Sequence, residues 1–384
     1  MEIKSIKVDN VDNNVRAITI KTSEENIKTP NRCIVTSDIN KIKGMRNQLE
    51  EPASPFDVAE ETFPWQIYQA SLEYDAKVRG TIARQEDGLN KKISSIKSTK
   101  VNSLKNMLEE DNYKNILKIM YPKTKLDDPI APKFMTALME LQCKVGLDVI
   151  TIPEPVAKCS FEDFVDNIKL ATKFLDDIGC ELPVMPLIDI KSNNERFEKK
   201  LDYLIDQSLN TKKDFKLVGI PCRVYGHNIN LHSLRDYSDK LEKFWVHGLG
   251  AYRFKPRSQV YNPHAATIWG IDTVALSPQG KHIPGVTDQN NNEDDEVRLR
   301  LYNPNSWGIY KRPQNTIEDN LCDCDGCSYY RNTHEQTALD VHEVIQSHSQ
   351  IVGSREYIQE DDYLSLVQEK SDFRDYYEDT VRDL

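Results

Sequence analysis

The sequence has no run of eighteen apolar residues, so no helix in it is expected to span a membrane. Its first ten residues, MEIKSIKVDN, lack the apolar core of an export signal, and the expectation is a cytoplasmic chain. Basic residues are not in excess. Fifty Lys and Arg face sixty-one Asp and Glu, a formal net charge of −11, which argues against a general nucleic-acid coat protein. An enzyme with one basic face on an acidic body remains compatible, because much of the excess acid lies in the tail, residues 356–384. No G-x-G-x-x-G opens a helix, which removes the usual dinucleotide fingerprint. A disulfide framework is absent too. Of eight cysteines in 384 residues, five (Cys33, Cys143, Cys159, Cys180 and Cys222) are scattered and read mostly as buried thiols in a reducing setting. The apolar fraction, 39%, suffices for a real core in one large domain with an appendage or in two ordinary domains.

What is present is a regular series. Residues 1–22 alternate as a hairpin about the polar turn Asp9–Asn14, and Cys33–Thr36 is a short apolar strand. The stretch 41–130 is polar and reads as a helical, insertion-like segment, with helical apolar spacing over Pro64–Arg84 and a lysine- and serine-rich run from Lys91 to Lys105. Beyond Pro132, helices at Phe134–Val145, Phe161–Ile178, Asn194–Ser208 and Leu231–Leu241 alternate with strands. Those strands are Asp148–Ile152, Val184–Ile188, Lys216–Ile220 and Phe244–Val246, and Ile271–Ala275 is the last. The spacing, roughly 27–36 residues, is that of βα units, and five or more in series favour a closed α/β architecture, the (β/α)8 TIM-type barrel, over an open sheet. The expected division is a barrel domain over 1–310 and a zinc-binding helical subdomain with an acidic C-terminal helix over 311–384.

Polar or special residues follow the strands: Asp38, Glu154, Asp189, Arg223, His247 with Gly248 and Gly250, and Asp272. In a barrel such positions converge on the face that carries active sites. Further on, Cys322, Cys324 and Cys327 fall within six residues. A tight loop supplying three thiolates needs a fourth ligand for tetrahedral Zn2+, and the next helix offers His342 and His348; His348, at the helix end, is the preferred ligand. Four protein ligands leave no position for water, so the zinc is read as structural.

C-x-C-x-x-C followed by a helix and a histidine, after serial βα units, resembles the zinc subdomain of the tRNA-guanine transglycosylase superfamily. Other segments agree in order: Thr29-Pro30-Asn-Arg-Cys-Ile-Val-Thr, Gln142-Cys-Lys-Val-Gly146-Leu-Asp148-Val-Ile, Val246-His-Gly-Leu-Gly250 and Gly270-Ile-Asp272-Thr-Val. The likeness covers roughly residues 29–40 and 134–350. The D-S-G-G-F-Q segment of the tRNA enzymes is absent, their base-contacting Gln-Gly is Asp189-Ile190 here, and the later Gly-Gly is Pro221-Cys222. With Thr36-Ser-Asp-Ile-Asn40, these departures look most like the DpdA-type branch, which inserts 7-deazaguanines into DNA and occurs in phages and in bacterial or archaeal modification clusters.

The resemblance implies a pentosyltransferase exchanging guanine in DNA for a free 7-deazaguanine such as the 7-cyano form. Alternatives are the same exchange on tRNA, or a non-catalytic, nucleic-acid-binding relative. Asp272 would be the nucleophile at C1′, forming a covalent aspartyl-glycosyl intermediate. Asp38 is the candidate acid–base, equally suited to capping the following helix. Glu154, Asp189, His247, Gly248 and Gly250 would receive the base, with Asp148 better suited to packing or capping. Arg253, Lys255, Arg257 and Lys281 would hold phosphates, and the guanine would be flipped out or single-stranded. A homodimer or helper modification proteins are the further partners it raises.

Overall fold

The computed structural model describes residues 1–35, 38, 39, 41, 42, 56–63, 91, 94, 95, 98, 116–122, 130, 132–154, 160–189, 193–207, 215–222, 229–251, 264, 266–276 and 298–381. The chain opens with strands β1 (Ile3–Asp12) and β2 (Val15–Thr22). They turn through Asn13 and Asn14 at φ 49° and 64°, a left-handed pair that asparagine tolerates better than most residues. A third strand, β3 (Asn26–Lys28), completes an antiparallel sheet in the order β1-β2-β3.

A mixed α/β body follows. Its strands are β4 (Asn31–Val35), β5 (Val58–Phe63), β6 (Leu117–Pro122), β7 (Ile150–Ile152), β8 (Val184–Pro186), β9 (Lys216–Pro221), β10 (Phe244–Ala251) and β11 (Thr273–Leu276). Six of them form a parallel half-barrel sheet in the order β6-β5-β4-β11-β10-β9, and β7 and β8 form a separate parallel pair. Two isolated parallel bridges, Ile119 to Val149 and Leu187 to Gly219, join that pair to the flanks of the larger sheet.

Helices α1 (Pro132–Val145), α2 (Phe161–Asp177), α3 (Asn194–Asp206) and α4 (Ile229–Asp236) alternate with β7 to β10. Their ends are written locally. Ser160 and Asp163 form a reciprocal capping box on α2, and the Asn193 side chain caps α3. Just past α1 and α2, Gly146 and Gly179 turn the chain at φ 79° and 66°.

The described part of residues 41–130, a stretch expected to be helical, includes two strands. These are β5 and β6, whose core-facing Val58, Glu60, Ile119 and Tyr121 alternate with residues on the other face. The expected Pro64–Arg84 helix lies outside the described residues.

Val35, Val58, Leu117, Ile119, Tyr121, Leu217, Trp245 and Leu249 share one core cluster with Ile3, Ile18, Ile20 and Ile27 of the N-terminal sheet. Burying these apolar faces together is the main drive for docking that sheet against the strands. After β11 come hairpin β12 (Arg298–Asn303)–β13 (Gly308–Pro313) and helices α5 (Asp325–Thr333), α6 (Gln336–Gln359), α7 (Tyr363–Glu369) and α8 (Ser371–Val381). The acidic tail expected as one helix is two, α7 and α8. Their Tyr363, Leu366, Val367 and Phe373 join the core cluster that holds Val218, Ile220 and Val246. No helix among the described residues is long and apolar enough to cross a membrane.

Gln142 on α1 is wholly buried and braces β7. Its amide donates to the Thr151 carbonyl and its oxygen accepts from the Thr151 N–H, both at 2.8 Å. Gln142→Ala strands both backbone groups. Urea unfolding of that variant should show a loss of about 2–4 kcal/mol; a change under 1 kcal/mol would refute the bracing role.

Candidate functional site

A candidate metal centre is built by a close crossing of α5 and α6. Cys324 is the residue preceding α5, Cys327 lies in its first turn, and Gly326 between them meets α6. A Cβ on Gly326 would lie 2.6 Å from the His342 backbone nitrogen and 2.7 Å from the Ala338 carbonyl oxygen, so only glycine permits this approach. Gly326 therefore acts in helix packing. The crossing brings His342 Nδ1 to 3.4, 3.2 and 3.2 Å from the sulfurs of Cys322, Cys324 and Cys327, and Cys322 Sγ is 3.7 Å from Cys327 Sγ. Tetrahedral zinc with bonds of about 2.3 Å to sulfur and 2.0–2.1 Å to nitrogen requires ligand separations of roughly 3.5–3.8 Å. All four donor atoms lie within 4.8 Å of one another, so this Cys3His group can hold a metal such as zinc with little adjustment. His342 Nε2 lies 2.8 Å from the Tyr302 carbonyl oxygen, to which it donates, leaving the Nδ1 lone pair for the metal. Burial opposes a charge on His342. Hydrogen bonds donated by the ring to the sulfurs of Cys322 and Cys324 outweigh it and raise the imidazole to about 10, so a divalent cation must displace that proton on binding.

The fourth donor is thus His342 and not His348. Six residues separate them, about 240° around the helix at 100° per residue, so the two cannot face one site. His348 Nδ1 contacts the Arg32 carbonyl oxygen at 3.1 Å and its ring packs on Phe56.

A second polar group lies among the strands. Thr273 Oγ1 accepts from Trp245 Nε1 at 2.7 Å and donates to His247 Nδ1 at 2.6 Å. That leaves His247 Nε2–H for Glu60 Oε2 at 3.1 Å, while Glu60 Oε1 accepts from the Gly250 N–H at 3.2 Å. Glu60, His247 and Thr273 are all buried. Gly250 sits at φ 52° with the Tyr121 ring 2.7 Å from where a Cβ would be, and Gly248 packs against Ile271 and Cys222. Glu60 was invisible among the polar residues of its segment.

Glu154 and Asp189 come together beyond β7 and β8. Glu154 Oε2 accepts the Asp189 backbone N–H at 2.6 Å, and Oε1 pairs with the buried ammonium of Lys200 on α3, a partner the sequence did not suggest. Burial raises the Glu154 carboxyl to about 7, with Lys200 opposing the rise. Asp148 accepts from the Lys118 N–H at 2.8 Å, a packing role at the start of β7.

Two expected site residues lie elsewhere. Asp272 immediately precedes β11, which runs from Thr273 to Leu276, and does not follow a strand. It therefore sits at the N-terminal edge of the sheet. There Oδ2 accepts the Val246 N–H at 2.7 Å and Oδ1 faces Arg16 Nε of β2 at 3.6 Å. Arg16 also donates to the carbonyls of Leu241 and Phe244. Burial lifts the Asp272 carboxyl to about 6, against the pull of Arg16. Asp38 is drawn towards α6 by Arg32 and Lys41, at 3.9 and 4.0 Å, and burial raises it likewise to about 6. Arg32 in turn donates to the α6 carbonyl of Glu343. Arg223, Arg253, Lys255, Arg257 and Lys281 lie outside the described residues.

No protein-family model matches the chain, and no curated protein matches its sequence.

The metal centre yields a direct comparison: His342→Ala and Cys324→Ser should each lose bound zinc and loosen the C-terminal helices, whereas His348→Ala should keep one zinc per chain. Elemental analysis decides it, and equal zinc in His342→Ala and wild type would refute the ligand set. For Glu154, a folded-state value above the unfolded one means that folding takes up a proton. Stability should therefore fall as pH rises from about 4.5 to about 7, by on the order of 3 kcal/mol. Denaturant titrations across that window should show the fall, flattened in Glu154→Gln/Lys200→Met, which removes both charges.

Proposed function

We propose that this chain is a nucleobase-exchanging transglycosylase that replaces guanine in DNA with a 7-deazaguanine such as 7-cyano-7-deazaguanine. The observation carrying this reading is the Cys3His group that follows a series of parallel strands and one hairpin, with carboxylates gathered among and beyond those strands. The two bridges flanking β7–β8 support a closed (β/α)8 barrel, the order returning through β11 to β4. In such a barrel the C-terminal strand edge is the reactive mouth.

The exchange needs an oriented carboxylate. It attacks C1′ as the C1′–N9 bond pair leaves with guanine, which takes up a proton. The incoming base then displaces the carboxylate from C1′ and releases its own N9 proton. Glu60 replaces Asp272 as the candidate nucleophile, since Asp272 is bound to Arg16 and the Val246 N–H at the opposite edge. Asp189 is the candidate acceptor for the N–H groups of the base, with Glu154 and Lys200 positioning it. The metal would be held by Cys322, Cys324, Cys327 and His342, and would supply structural bracing rather than chemistry.

A second reading is a non-catalytic, nucleic-acid-binding relative. It is favoured by the removal of Asp272 from the reactive edge and by the partners that already hold Glu60 and Glu154.

The test incubates the zinc-loaded protein with DNA or tRNA carrying labelled guanine, together with free 7-cyano-7-deazaguanine. Release from DNA, reduced by a factor of roughly 1,000 or more in Glu60→Gln and retained in Asp272→Asn, is the expected outcome. Release from tRNA alone would overturn the choice of polymer, and binding without release from either would favour the second reading.

A further inference from the structure

Two of the scattered cysteines are not solitary. Cys143 lies in the last turn of α1, and Cys180 follows Gly179 just beyond α2. Their sulfurs stand 2.9 Å apart, and each is partly exposed, unlike the buried Cys33 and Cys222. Cys322, Cys324 and Cys327 belong to the metal centre. Both cysteines, like Leu170, Phe174 and Leu182, pack against the core cluster that holds Leu141, Val145, Ala171 and Leu175.

We propose that Cys143 and Cys180 are a redox-active dithiol that forms a reversible disulfide by exchange with a low-molecular-weight disulfide. The sulfurs need only close from 2.9 Å to about 2.05 Å. Cys143 donates its S–H to Cys180, and this hydrogen bond pulls the Cys180 thiol down to about 6, which marks Cys180 as the attacking thiolate. Cys180 attacks one sulfur of the small disulfide and expels the other as a thiol. Cys143 then loses its proton and attacks Cys180 Sγ, expelling the second thiol. Two electrons pass from the protein sulfurs to the small disulfide, and both thiol protons leave with the two released molecules.

The position gives the bond a consequence. Cys143 lies just before the chain enters β7, and Cys180 just before it enters β8. Among the described residues this strand pair is tied to the larger sheet by single bridges on either side. A covalent link closing a segment of 37 residues would restrain the least tightly paired part of the strand system.

The test treats the full-length, zinc-loaded protein with oxidised glutathione, blocks free thiols in acid and maps the peptides. The expected result is a Cys143–Cys180 cross-link with unchanged zinc content and a rise in Tm of about 5 °C, reversed by dithiothreitol. Cys143→Ser should stop at a glutathione adduct on Cys180. A cross-link to Cys159, attack on the metal cysteines with loss of zinc, or full retention of both thiols would each overturn the proposal. Should Cys143→Ser fail to fold, the wild-type peptide map decides alone.

Discussion

A methyl group on Gly326 would collide with the backbone of His342, and much of the C-terminal architecture follows from that constraint. Only with no side chain at 326 do α5 and α6 approach closely enough for three sulfurs to surround Nδ1. Structural zinc sites contribute on the order of 10 kcal/mol, against about 1 kcal/mol for an ordinary hydrogen bond, so a bound metal would dominate the setting of α6. That helix then acts along its length. Its Glu343 carbonyl receives Arg32 of β4, its His348 meets the Arg32 carbonyl, and its Arg355 donates to the carbonyls of Ile18 and Thr29. One helix thus links the metal centre, the first strand of the parallel sheet and the N-terminal sheet.

The buried carboxylates divide by edge. At the N-terminal edge, Asp272 and Arg16 form a pair that joins the hairpin to the strands, and its partners are backbone groups as much as each other. Burying such a pair gains little net stability, because desolvation offsets attraction. Its value lies in specifying which surfaces meet, since either charge left alone would be costly. Beyond β7 and β8, Glu154 is shared between Lys200 and the Asp189 N–H, which orients a loop and not a subdomain. Buried carboxylates therefore serve assembly at one edge and the local placing of Asp189 at the other.

Much of the fold was legible because the local signals were strong. Apolar spacing and caps at Ser160 and Asn193 mark α2 and α3, and the alternating helices and strands after Pro132 match the observed order. The strands β5 and β6 were not legible, because Glu60, Glu61 and Lys118 interrupt their apolar alternation and tertiary burial, not propensity, makes them strands. His342 and His348 lie on one helix, and composition says nothing about which face meets the cysteines. Asp272 already stood at the start of its expected strand, Ile271–Ala275, so the sequence itself put it with the N-terminal edge rather than with the residues that follow strands, and the observed strand begins just after it. Gln142 was noticed only for its spacing, whereas its work is to satisfy the Thr151 backbone.

Gly250 shows how a motif glycine becomes a geometric demand. Its φ of 52° costs a residue with a side chain strain, and the Tyr121 ring occupies the space a Cβ would need. In return the Gly250 N–H is turned towards Glu60 Oε1, while His247, itself oriented by Thr273 and Trp245, holds Oε2. Both carboxylate oxygens are thereby fixed by groups on β10, so Glu60 has a single orientation without relying on solvent. In the proposed exchange, a carboxylate that meets a sugar carbon along one line would benefit from such restraint, because its orientation is set in folding and not at each encounter. The Gly-Leu-Gly of β10 is then best understood as the support for a carboxylate on β5, two segments that the sequence keeps almost two hundred residues apart.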